Sequence, residues 1–88
     1  MNDERIKQLE SSLQESFARH EPKPGEELNW NDFSGNIVGI IRARYLANYT
    51  DHLNEDEAKH LLKLFNEKSA TLGGKQITWE QCLTGGYC

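Results

Sequence analysis

Ile77-Thr78-Trp79-Glu80-Gln81-Cys82, close to the C-terminal end of the chain, reads as the first turn of a helix. Thr78 is the N-cap, Gln81 stands three residues on to complete a capping box, and Ile77 and Cys82 bracket them as a hydrophobic staple. Leu53-Asn54-Glu55-Asp56-Glu57-Ala58 repeats the arrangement with Asn54 and Glu57, and Leu28-Asn29-Trp30-Asn31-Asp32-Phe33 repeats it with Asn29 and Asp32. Three helix starts are therefore written in one local chemistry, and each cap contributes roughly 1 kcal/mol.

Apolar spacing supplies the bodies of these helices. Ile6, Leu9, Leu13 and Phe17 recur at intervals of three and four, which predicts a helix from about Asp3 to Arg19. Glu21-Pro22-Lys23-Pro24-Gly25 ends it, because proline cannot continue a helix and restricts the residue before it. Phe33, Ile37, Ile40, Ile41, Tyr45 and Tyr49 mark a second helix, and Ala58, Leu61, Leu62 and Phe65 a third, closed by Gly73 and Gly74. A chain of 88 residues holds one modest core. The expectation is a single all-α domain over 1–88, with three main helices, a short C-terminal helix after Thr78, and a mobile tail at 84–88. Trp30 and Trp79, just inside helix starts, are expected to pack against the ends of neighbouring helices.

Two of the helix starts share more than a cap. FARHEPKPGEELNWNDF (17–33) and FNEKSATLGGKQITWEQC (65–82) each run from a helix-ending Phe through a glycine-containing loop to an aliphatic residue, a cap, a Trp and an acid or amide. The repeat resembles a pair of EF-hands over about Leu13 to Leu83. That resemblance implies two helix-loop-helix units whose loops pair as a minimal strand, at Leu28 and Ile77. It does not imply calcium, because the loop must offer oxygens at its first, third, fifth and twelfth positions with glycine at the sixth. The first loop fills the ligand slots with Glu21, Lys23, Gly25 and Asp32 and puts Glu26 at the turn; the second fills them with Ala70, Leu72, Gly74 and Gln81 and puts Lys75 there. Capped helix starts behind glycine loops also arise in helical domains of other topology, and that alternative stays open.

Met1 to Glu10 is polar and charged and lacks a basic segment followed by an apolar run, and no window approaches the length of a membrane helix. A cytoplasmic protein without a membrane partner is expected. Net charge is −4, pI is near 5.3 and the basic residues are scattered, which argues against nucleic acid as a partner. Cys82 and Cys88 fit neither a disulfide framework nor a C-x-x-C pair; Cys82 reads as a core residue and Cys88 as a free tail thiol. His20, His52 and His60 lack a third ligand for a metal, no serine sits on a strand-to-helix elbow, and Gly73-Gly74-Lys75 lacks the spacing of a phosphate loop. Asn48-Tyr49-Thr50 matches a glycosylation sequon, which has no use without a secretory route. Neither enzyme chemistry nor a cofactor or metal site is expected.

Surface is what remains for function. The second helix carries Phe33, Ile37, Ile40 and Ile41 on one side, with Val38, Tyr45, Leu46 and Tyr49 spilling onto others. Gly35, Gly39 and Ala43 recur every four residues along it, a stripe that serves internal packing or lets a second helix approach, including one from a homodimer. The leading expectation is a non-enzymatic protein–protein interaction module that binds a partner protein beside this helix through Val38, Arg42, Tyr45, Tyr49, Glu55 and Asp56. The alternative is a small acidic inhibitor, such as an immunity protein, an antitoxin or a phage-type blocker, set against a basic target such as a nuclease. Acidic clusters at Glu26-Glu27, Asn31-Asp32 and Asp51 through Glu57 support it, although an ordinary solvated surface accounts for them as well.

Overall fold

The computed structural model describes residues 3–47 and 52–84. The described residues are helical with no strand: α1 spans Asp3–His20, α2 Trp30–Ile41, a π-helical segment Arg42–Leu46 continues α2, α3 spans Glu55–Thr71 and α4 Trp79–Thr84. The expected caps form. Asn29 Oδ1 accepts from the Asp32 N–H at 3.2 Å, and Asn54 and Thr78 each complete a reciprocal box, with Glu57 and Gln81 respectively. The Asp32 carboxylate turns instead to His20 Nδ1, 3.0 Å away, and so ties the start of α2 to the end of α1.

The second helix differs from its expected form. Its α-helical part stops at Ile41, and the Ala47 N–H donates to the Arg42 carbonyl at 2.9 Å, a bond to the fifth residue back. That wider turn takes in an extra residue and rotates the downstream side chains out of the α register. Tyr45 thereby packs edge-on against Trp79 of α4, with centroids 5.2 Å apart, and leaves the stripe of Ile37 and Ile41. Positions 48–51, which include the expected helical residue Tyr49, lie outside the described residues, as do 85–88 of the expected tail; Thr84 closes α4.

The core forms where α1, α2 and α3 converge. Phe17, Phe33 and Phe65, one from each helix, are buried, with centroid separations of 5.7, 6.3 and 5.0 Å, and Trp30 leans on Phe65 at 5.9 Å. Leu13, Ile37, Ile41, Leu53, Leu61, Ile77 and Cys82 fill the space around them. The entry to α3 is pinned from two sides. Arg5 of α1 donates from Nε to Glu57 at 3.2 Å and from its terminal nitrogen to the His52 carbonyl at 3.1 Å, while the Leu53 N–H donates to the Arg44 carbonyl at 3.0 Å.

The loop from α3 to α4 opens with a Schellman turn. Gly73 takes φ 75°, its N–H reaches the Ala70 carbonyl, and the Gly74 N–H reaches the Ser69 carbonyl at 2.8 Å. A Cβ on Gly74 would collide with Ser69 Oγ and press on Leu28 Cδ2 at 3.0 Å and Trp30 Cζ3 at 3.1 Å, so the two interhelical loops meet at this glycine. They do not meet as strands. The expected pairing of Leu28 with Ile77 has no counterpart, because the Asn66 carboxamide holds both backbone groups of Ile77: Oδ1 accepts its N–H and Nδ2 donates to its carbonyl, each at 2.8 Å. A side chain on α3 thus supplies what a neighbouring strand would have supplied.

Candidate functional site

The six residues expected to contact a partner divide sharply in the folded chain. Val38 is 4% exposed and belongs to the core, where its side chain is out of reach of a partner. Tyr49 lies outside the described residues. Arg42 and Asp56 are exposed, Glu55 is exposed and paired with Lys59 at 3.5 Å, and Tyr45 is half-buried against Trp79. Lys59 Nζ stands 5.4 Å from the centroid of Trp79. Glu55, Lys59, Trp79 and Tyr45 therefore form one contact chain across α3, α4 and the π segment, a grouping that sequence spacing does not reveal.

Two shallow grooves flank this chain of contacts. One, of about 550 Å³, runs between α3 and the segment 76–79 and is lined by Lys59, Lys63, Asn66 and Trp79 among others. The other, of about 610 Å³, lies on the outer face of α2 and the π segment and is lined by Gly39, Arg42, Ala43, Leu46 and Ala47. Of the small-residue stripe, Gly39 and Ala43 lie in the second groove. A Cβ placed on Gly35 or Gly39 would meet no atom within 4 Å among the described residues, so neither glycine makes room for another of them. Each nonetheless costs roughly 1 kcal/mol of helix stability relative to alanine. Leu46, at the end of the same face, is 48% exposed and is the one large exposed hydrophobic side chain among the described residues. Arg42 makes no ion pair or side-chain hydrogen bond among them.

Ionisable groups elsewhere are engaged in holding helices together. His60 contacts Glu10 of α1 at 2.8 Å, Glu21 pairs with Lys68 of α3, and Glu57, largely buried, faces Arg5. Among the described residues no group of three or more His, Cys, Asp or Glu side chains converges as a metal site. Within the acidic clusters of the sequence, Glu26, Glu27, Asp32, Glu55 and Asp56 are exposed. Burial pushes the Cys82 thiol up to about 11, which makes it a poor nucleophile. No described helix is long and apolar enough to cross a membrane. Compared with protein-family models, with curated proteins and with solved structures, the chain matches none.

Proposed function

We propose that this chain is a non-enzymatic interaction module that receives a partner protein on the outer face of α2 and the π segment. The observation that carries the reading is the orientation of Gly35 and Gly39. Among the described residues, neither has anything near a would-be Cβ, while Phe33, Ile37, Val38 and Ile41 of the same helix are buried. Gly39, with Arg42, Ala43, exposed Leu46 and Ala47, lines a shallow trough into which a helix or an extended segment can settle, and Gly35 lies one turn back on the same face. The scaffold behind it is read as two helix-loop-helix units of EF-hand-like order, α1 with α2 and α3 with α4, which serve as a rigid support and have no calcium role.

A photo-crosslinking residue at position 46, compared with one at the exposed position 15 on α1, tests this in native cells. A discrete adduct from position 46 and none from position 15 is expected, and capture should persist between about 0.05 and 0.5 M salt because apolar contact is not screened. Adducts from position 15 alone would sink the proposal. Capture that collapses steeply with salt would favour the acidic-inhibitor reading, in which exposed Glu26, Glu27, Glu55 and Asp56 meet a basic target.

A further inference from the structure

We propose that the occupant of this face is a second copy of the chain, docked α2 against α2 in antiparallel fashion, with Asp32 of each copy opposite Arg42 of the other. The inference rests on the interaction-module reading and names its partner.

A two-fold interface is isologous: if one residue meets another, the reciprocal contact forms as well, and all such pairs share one midpoint along the helix. Gly35 and Gly39 have their midpoint at the level of Ile37, and so do Asp32 and Arg42. At about 100° per residue, Asp32, Gly35, Gly39, Arg42 and Ala43 fall within one face of the helix. One register therefore sets glycine against glycine, where backbones can come closer than the usual 8–10 Å or so between helix axes. The same register sets carboxylate against guanidinium at both ends.

The charges also disfavour the alternative orientation. A parallel pair about a two-fold axis would oppose Asp32 to Asp32 and Arg42 to Arg42, which places like charges together at both ends. The groups concerned are available. Arg42 has no side-chain partner among the described residues, and the Asp32 side chain is 58% exposed with one oxygen, Oδ2, on His20. Arg42 still has helical φ and ψ of −66° and −41°, so the α register holds as far as this residue. Leu46 lies beyond it and extends the apolar contact.

The face from Asp32 to Leu46 is about 21 Å long and a helix is about 10 Å across, roughly 400 Å² over both copies, which is below the area of a stable specific interface and makes this a weak, transient contact. Self-association is therefore expected to be weak, with a dissociation constant of about 100 µM or above. Sedimentation equilibrium from about 1 to 500 µM is the direct test, and the wild-type mass should rise from 10.1 kDa toward twice that value. D32R and R42D should each raise the dissociation constant at least about tenfold, because each creates like-charge contacts at both ends. An equimolar mixture of the two variants should regain dimer, since every cross-copy contact is then again acid against base. Circular dichroism checks that D32R, which also loses the His20 contact and an acidic group in the first turn, remains folded; R42D disturbs neither. A wild-type chain that stays monomeric throughout, a dimer indifferent to both substitutions, or a mixture no better than its components would overturn the proposal. A monomeric wild type that still gives a position-46 adduct with another protein would remove the second copy as occupant while leaving the interaction reading in place.

Discussion

Asn66 and Trp30 show how single side chains decide this structure. Asn66 satisfies both backbone groups of Ile77 from the middle of α3, at a site where the 72–78 loop has no strand to lean on. Asn66→Ala should lower unfolding free energy by about 2–3 kcal/mol, the loss of two hydrogen bonds with their backbone partners left half-buried. Denaturant melts at constant m-value would show it, and a change within error would mean that water replaces the carboxamide. Trp30 presents the opposite case. Its Nε1 is buried with no hydrogen-bond partner among the described residues, so the ring contributes packing on Phe65 while the N–H contributes a penalty. Trp30→Phe removes the orphan donor together with part of the ring, and the two effects, each of about 1–3 kcal/mol, should nearly cancel. A loss above about 3 kcal/mol would show that the indole volume dominates.

Among elements, the capping boxes and the π segment act at different ranges. The boxes on α3 and α4 are closed locally, each by a side chain and a backbone group three residues apart. Asn54→Ala and Thr78→Ala should each cost about 1 kcal/mol. The consequences should differ: α3 is a long helix held along its length, whereas α4 spans only Trp79–Thr84. Amide exchange in Thr78→Ala should therefore quicken within α4 first, and equal quickening along α3 would contradict this. The π segment depends on its surroundings. Its wide turn holds Tyr45 against Trp79 and aligns the Arg44 carbonyl with the Leu53 N–H, contacts that join distant parts of the chain.

For the whole molecule, the buried Cys82 thiol reports on global stability. Burial pushes its titration up to about 11, above the ordinary thiol value of an unfolded chain. The folded state therefore keeps its proton over a range where the unfolded state releases it. That contribution is fully present below the ordinary thiol range and is lost as pH rises through it to about 11. In a Cys88→Ser background, labelling of Cys82 should be slow at neutral pH and should track the fraction unfolded in denaturant. Rapid labelling under native conditions would mean that α4 opens by itself. The Phe17, Phe33 and Phe65 cluster joins three helices, and Phe33→Ala should cost about 3–5 kcal/mol, enough to unfold much of so small a domain.

Where helices begin, the line of residues each one buries and the all-α class are legible in the amino-acid order, because caps and apolar stripes act between residues three or four apart. Thr78 with Gln81 and Asn54 with Glu57 are of this kind, and so is the line from Leu13 to Phe17. Packing in three dimensions was needed to turn Val38 inward and Gly35 and Gly39 outward, to give α2 a π turn at Arg42, and to put Asn66 in the place of a strand beside Ile77. The candidate face was thus half legible: its small residues stood in the sequence, their exposure did not. Periodicity places residues around one helix axis, but which side of that axis meets solvent depends on where the other helices lie. That is set by contacts among residues far apart in the chain.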